Sequence, residues 1–196
     1  MHIRRAFLAL VLVFVVTGVS AQESRTLVFG ERSLVEIDGT SNKSDWTVTA
    51  SDFSGSVEMQ GSAIVGASLV VQSASIKGEG GIIMNRLILD ALKTAQHPEI
   101  KYTLTEVLSS APDEGGDWVE TKGTLELAGE TREVRLDVLV SVEDDGRVRI
   151  TGQTDISMPN YKIKPPTAMF GALHVARDVT VRIDVFAGAA EAGSGE

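Results

Sequence analysis

One short stretch of this chain has a helical repeat, whereas most of the chain after the N-terminal segment alternates at period two. The stretch predicts an amphipathic helix over Met84–Ala95, ending at Gln96 because a proline follows His97. A mostly β chain with one such helix has few architectures open to it, and the most direct is a closed barrel with a helical lid. We therefore expect a container for a small apolar molecule. The apolar stripe of the helix consists of Met84, Leu87, Ile88, Ala91, Leu92 and Ala95.

The strands are clearest in the second half of the chain. Apolar residues alternate with polar ones from Val134 to Val142 and again from Val148 to Ile156, with a turn signal at Asp145-Gly146 between them. These two segments predict an antiparallel hairpin. Further strands are predicted at Arg25–Phe29, Ser33–Thr40, Trp46–Ala50, Phe53–Met59, Ala63–Gln72, Glu99–Ser109, Trp118–Leu127 and Val179–Val185. Eight to ten antiparallel strands can form a barrel or a sandwich, and the pattern alone leaves both open.

Small residues on the predicted inner faces indicate where a cavity could lie. Gly61, Gly123 and Gly152 fall in phase with aliphatic residues, so they either leave room inside or mark bulges and bends. Aromatic residues are few, and an aliphatic lining suits a flexible hydrocarbon chain. Strand phase and the helical stripe give the candidate cavity residues Val57, Met59, Leu125, Val138, Ile150, Ile183, Leu87 and Ile88.

The N-terminal segment has the composition of a secretory signal peptide, predicted over residues 1–21. Arg4 and Arg5 precede an apolar run of eleven residues, Ala6–Val16, and Val19-Ser20-Ala21 provides small residues for cleavage. The run is shorter than the roughly 17 to 25 residues that span a bilayer, which disfavours a membrane anchor. We therefore expect a periplasmic or secreted protein. A single domain over residues 22–187 and a disordered Gly-, Ala-, Ser- and Glu-rich tail over residues 188–196 complete the predicted organisation.

Composition excludes several classes of function. The formal net charge is −9, and about −11 once Arg4 and Arg5 are removed, so nucleic acid is not an expected partner. The chain has no cysteine, so its fold depends on a hydrophobic core without disulfides. Only His97 and His174 follow the signal segment, and neither a nucleophile elbow nor a spaced set of metal ligands is present. No catalytic residue, metal or cofactor is predicted.

The strongest local signal is the segment Met158–Gly171, in which Tyr161, Ile163 and the pair Pro165-Pro166 precede the final strand. In this segment the chain resembles the YceI-like polyisoprenoid-binding family. Three more segments match in order and spacing, and together they extend the resemblance over nearly the whole chain after the signal segment. They are Gly39-Thr40-Ser41 with Asp45-Trp46-Thr47-Val48, His97-Pro98-Glu99-Ile100 with Tyr102, and Gly123–Leu127 with Gly129–Val134.

The resemblance implies an all-β, extended lipocalin-like antiparallel β-barrel of about eight strands, with the amphipathic α-helix near its mouth. It also implies an exported protein that holds an isoprenoid chain or a related amphiphile inside the barrel. One position departs from the family's pattern, since Ser44 stands where many relatives have a histidine, and a polar role tied to that histidine is not expected here.

We therefore expect an exported, non-enzymatic carrier or scavenger of a long-chain lipid such as a polyprenyl chain or a quinone tail. Arg86, Lys93 and Lys162 are the candidate head-group residues, because they are expected near the barrel mouth. A membrane-associated donor or acceptor and a homodimer are further candidate partners. The alternative is a surface interaction or stress-adaptation module with a filled core and no ligand.

Overall fold

The computed structural model describes residues 24–79, 81–168 and 171–190 of the 196-residue chain. The predicted signal peptide lies outside the described residues, as does most of the predicted tail. One α-helix and thirteen β-strands occur in the described part of the chain. Their bounds are β1 (Ser24–Phe29), β2 (Leu34–Ser41), β3 (Asp45–Ala50), β4 (Phe53–Gln60), β5 (Ala63–Gln72), β6 (Ile76–Gly78), α1 (Gly81–Ala91), β7 (Glu99–Asp113), β8 (Gly116–Leu127), β9 (Glu130–Arg135), β10 (Asp137–Val142), β11 (Val148–Ser157), β12 (Thr167–Ala168) and β13 (Leu173–Gly188).

The strands form a closed antiparallel barrel of eight long segments. Four segments consist of two consecutive strands each, namely β1 with β2, β3 with β4, β5 with β6 and β9 with β10, while β7, β8, β11 and β13 are single long strands. Each segment pairs with the next, and β13 pairs with both β1 and β2, which closes the sheet. The predicted barrel is confirmed, and the sandwich that the strand pattern left open is excluded.

The two ends of the barrel differ. The helix end carries the β2–β3 turn at residues 42–44, the β8–β9 turn at residues 128–129 and α1. The closed end carries the β4–β5 turn at residues 61–62, the β7–β8 turn at residues 114–115 and the β10–β11 turn at residues 143–147. An aliphatic cluster fills the closed end, because branched side chains from all sides meet there. Its innermost members are Leu27, Val57, Met59, Ile64, Val119, Val140, Val148, Val185 and Ala187.

The period-two pattern is confirmed in the C-terminal hairpin, with one break. Val138 and Val140 of β10 and Val148 and Ile150 of β11 are buried, and the two strands pair antiparallel as predicted. The segment predicted as one strand from Val134 is divided between β9 and β10. This break lets β9 pair only with β8, so the sheet opens between β9 and β11 towards the helix end.

The helix starts and ends earlier than predicted. α1 begins at Gly81 and ends at Ala91, before the turns that lead to Pro98. Lys93 adopts a left-handed conformation with φ of 53°, and its backbone N–H donates to the Asp90 carbonyl. The helix therefore ends through a local change in backbone conformation, and the proline that was expected to end it lies five residues further on.

The inner-face glycines do not leave room for a ligand, and their alternative role in bends and close approaches is the correct one. A Cβ on Gly123 would overlap the Tyr102 ring, and one on Gly152 would meet the Asp137 carbonyl. Gly61 has a φ of 63° and lies in the turn between β4 and β5. The cavity therefore arises from the shape of the barrel and does not depend on missing side chains.

Gly39 determines how an aromatic side chain packs at the helix end of the barrel. It lies opposite Trp46 in the β2–β3 register, and a Cβ at this position would overlap the indole ring. The indole thus packs directly on the backbone of the neighbouring strand, as aromatic side chains do across strand glycines.

We expect Gly39→Ala to destabilise the fold by about 1–3 kcal/mol, because the indole must move to admit the methyl group. Urea unfolding followed by circular dichroism measures this change. Gly30→Ala is the matched control, since its new Cβ would lie 3.5 Å from the Phe186 carbonyl oxygen, an ordinary contact. Equal midpoints for the two variants would contradict the role assigned to the Trp46 packing.

Candidate functional site

An apolar cavity of about 1030 Å³ occupies the barrel from its middle to the helix end. This volume lies at the upper end of the roughly 300–1,000 Å³ typical of small-molecule sites. Each of the eight barrel segments contributes side chains to its wall, and α1 covers part of the mouth with Met84, Leu87 and Ile88. The aliphatic wall residues include Val35, Ile37, Val48, Leu69, Val71, Ile100, Leu125, Leu127, Val134, Ile156, Val179, Val181 and Ile183.

The cavity is blind, because the closed-end cluster is its floor. Ile64, Val138, Ile150 and Val185 belong to that cluster and also line the cavity. Their exposed fractions lie between 1% and 7%, so the floor is a packed layer. A chain-like ligand would therefore enter from the helix end and stop at this layer.

The structure places six of the eight predicted cavity residues in the cavity wall. They are Leu125, Val138, Ile150, Ile183, Leu87 and Ile88. The other two, Val57 and Met59, are 0% and 1% exposed and pack inside the closed-end cluster. Their side chains do face inwards, but they lie beyond the floor, so their prediction as wall residues is wrong.

The interior of the cavity has a small polar site formed by Tyr102 and Thr121. The two hydroxyl oxygens are 3.5 Å apart. The Thr121 hydroxyl donates to the Leu136 carbonyl, so Tyr102 is the donor in the contact between the two side chains. Burial raises the pKa of Tyr102. The phenol is therefore neutral at physiological pH and presents a weakly polar surface to a ligand.

The charged groups in the cavity lining are not those predicted from the helix. Glu36, Asp45, Lys77 and Glu79 contribute to the lining, so acidic groups outnumber basic ones there. Glu36 accepts a hydrogen bond from Arg182 at 3.2 Å, which partly neutralises it. An uncharged polar group is therefore better matched to this mouth than a multiply charged anion.

The three predicted head-group residues lie outside the cavity lining and do not form one group. Arg86 is exposed on the outer side of α1. Lys93 Nζ donates to the Ala128 carbonyl at 3.2 Å, and Lys162 Nζ lies 2.7 Å from Glu130 Oε1. Lys162 lowers the pKa of Glu130 through this contact. Both lysines therefore hold the β8–β9 turn, and the sequence pattern did not reveal these partners.

The family assignment follows from a match over most of the chain. Residues 22–187 match the family model described as YceI-like domain. The chain belongs to the YceI-like family. The resemblance found in the motifs is thereby confirmed. Among curated proteins, no match to this chain was found.

Solved structures share the fold at low sequence identity. BcnA from Burkholderia cenocepacia is 17% identical, with a TM-score of 0.66 over 80% of this chain and 96% of its own. A polyisoprenoid binding domain from Saccharophagus degradans, implicated in plant cell wall breakdown, is 18% identical, with a TM-score of 0.64 over 84% of this chain and 98% of its own. The YceI protein of Campylobacter jejuni is 19% identical, with a TM-score of 0.57 over 71% of this chain and 82% of its own. At these identities the comparison establishes a common YceI-like barrel.

Trp46 is a cavity residue of this YceI-like barrel that strand phase did not single out. Its ring lines the cavity and packs on Gly39. Its Nε1 is enclosed by protein and has no hydrogen-bond partner within the described ranges. Because this nitrogen is enclosed, the indole offers a ligand its apolar surface and not its N–H. Lys77, on the short strand β6, was missed because nothing in its local pattern places it at a mouth.

We expect the two tyrosines of this YceI-like protein to ionise at a higher pH in the folded protein than in the unfolded chain, because burial raises the pKa of both Tyr102 and Tyr161. Tyrosinate absorbance during an alkaline titration measures this, with the urea-unfolded chain as reference. Stability from these neutral phenols is complete below the unfolded pKa and is lost as pH rises through the folded values. Tyr102→Phe and Tyr161→Phe assign the two transitions, and a folded transition at or below the pH of the unfolded one would contradict the burial argument.

Proposed function

We propose that this YceI-like protein is an exported, non-catalytic carrier or scavenger that binds an isoprenoid-like amphiphilic lipid, such as a polyprenyl chain or a quinone tail. The observation that carries the proposal is the blind aliphatic cavity of about 1030 Å³. The S. degradans neighbour, which is a polyisoprenoid binding domain, supports the same ligand class. Periplasmic or secreted localisation rests on the signal-like composition of residues 1–21.

Binding would be driven by burial of hydrocarbon. Each methylene group transferred from water into an apolar site contributes roughly 0.8 kcal/mol, so a few isoprene units supply high affinity without directional bonds. The apolar end would lie against the floor at Ile64 and Ile150, and the polar end would remain near Lys77. Because the floor is packed, this orientation is the one that keeps a polar group close to water.

The head group is proposed to be uncharged or weakly charged. Lys77 is outnumbered by Glu36, Asp45 and Glu79 in the cavity lining. Lys93 and Lys162 are engaged with Ala128 and Glu130 respectively. Of the three predicted head-group residues, Arg86 is the one that would contact a head group projecting from the mouth.

The alternative function, an interaction module with a filled core, requires side chains to occupy the helix end. The cavity at that end favours the carrier. The described residues also contain no group of three or more metal-ligating side chains, and no helix among them is long and apolar enough to span a bilayer.

The decisive test of the carrier is native mass spectrometry of the protein purified from its own cell envelope. We expect one apolar molecule to remain bound to each protein molecule, and we call it the passenger. Ala67→Trp should remove the passenger, because Ala67 lines the cavity near its floor and an indole would fill that space. Val65→Trp is the matched control, since Val65 lies on the same strand, is 49% exposed and does not line the cavity. Bare wild-type protein in repeated preparations, or equal passenger content in all three proteins, would refute the proposal.

The floor also predicts a limit on chain length. Affinity for prenyl alcohols of increasing length should rise by up to about 4 kcal/mol per isoprene unit and then level off when the chain reaches the floor. Ile64→Ala should move this limit to a longer alcohol, because it removes a floor side chain. Displacement of a fluorescent fatty acid measures both series, and an unchanged limit in Ile64→Ala would contradict the orientation proposed for the ligand.

A further inference from the structure

Two isoleucines at the start of α1 are the most exposed large apolar side chains in the described part of the chain. Ile82 is 88% exposed and Ile83 is 77% exposed. Neither lines the cavity, so the proposed ligand does not explain them. Adjacent exposed aliphatic residues on one turn are costly to leave in water and are typical of a surface that meets another apolar phase.

The exposed pair is continuous with the cavity. Met84, the next residue, lines the cavity, and Leu87 and Ile88 follow on the inner side of the same helix. Asn85 Oδ1 accepts a hydrogen bond from the Gly78 backbone N–H at 3.0 Å, which holds α1 against β6. An apolar path therefore leads from the outside of the helix tip over the rim of the mouth and into the barrel.

The two exposed isoleucines have one basic neighbour on the same helix. Arg86 lies three and four residues after the isoleucines, so it is on the same exposed side of the helix. A basic side chain beside exposed aliphatic residues suits a surface that carries phosphate head groups.

The size of the patch argues against a second copy of this chain as its occupant. Stable protein–protein interfaces bury roughly 1,200–2,000 Å² in total, and two isoleucine side chains supply a small fraction of that area. Binding to a bilayer does not require so large a buried area, because a few inserted apolar side chains with nearby basic groups bind its interface reversibly.

We propose that Ile82 and Ile83 insert into the interface of a phospholipid bilayer and hold the barrel mouth against it. The inference rests on the proposed function, since its purpose is exchange of an apolar lipid between the bilayer and the cavity. The polar head of that lipid would not have to cross bulk water, because the rim of the mouth already touches the interface. Such docking is peripheral and involves no spanning helix.

The absence of cysteine allows a local measurement. In Ile83→Cys, a polarity-sensitive fluorophore on the single thiol reports on the helix tip alone, so the N-terminal apolar segment does not affect the readout. Val142→Cys is the matched control, because Val142 is 67% exposed but lies at the closed end. Vesicles of phosphatidylcholine with phosphatidylglycerol should shift the emission of the first label to shorter wavelength and leave the second unchanged.

A second variant tests the role of the apolar side chain. Adding Ile82→Ser to the labelled Ile83→Cys protein should weaken vesicle binding about ten-fold or more, since one inserted side chain is replaced by a polar one. Quenching of the Ile83→Cys label by lipids that carry a nitroxide should fall in parallel.

Several outcomes would overturn the docking proposal. They are no spectral change in either labelled protein, equal changes in both, and undiminished vesicle binding after Ile82→Ser. A shift that depends on protein concentration without vesicles would also overturn it, because it identifies a second copy as the occupant. Passenger analysis by mass spectrometry is independent of these labels. A passenger without a label response refutes docking alone, and a label response with no passenger in any preparation refutes the carrier function.

Discussion

The pairing of β13 with β1 closes the sheet, and the site depends on that closure. Val28 and Phe29 pair with Gly188 and Ala187, and β13 continues along β2 on the same edge. In an open sheet the inner faces would have to pack against a second layer, which would remove the cavity. In the closed sheet the inner faces of opposite strands need only meet where the barrel is narrow enough.

The interior is filled with side chains at the closed end only. There β1 pairs with β4, β10 with β11 and β11 with β13, and branched side chains such as Val57 and Val148 meet. Towards the helix end β6 pairs with β3 but not with β7, and β9 pairs with β8 but not with β11. The sheet splays at both places, and the same kinds of aliphatic side chain no longer reach across. The cavity is a consequence of this splay, with α1 covering part of the opening.

This geometry also explains how far the sequence could predict the site. Period two identifies which face of a strand points inwards, and it did so for Leu125 and Ile150 in the cavity as well as for Val57 and Met59 below its floor. It does not indicate how far along the barrel a residue lies, because that depends on the register between distant segments. The helix was found from its stripe, but its end was not, since the left-handed Lys93 has no signature in composition. The family motifs predicted closure of the sheet, which the strand pattern had left open.

The packing of α1 links the cavity to exchange of the ligand. None of its eleven residues is fully buried, although its inner side is apolar. Met84, Leu87 and Ile88 face the cavity, so a hydrocarbon chain in that space would supply the contacts that a core normally gives an amphipathic helix. A ligand that binds only the folded, covered state stabilises that state by mass action. The helix would then be held most firmly with the barrel loaded and less firmly with the barrel empty, when its exposed first turn is free to meet another apolar surface.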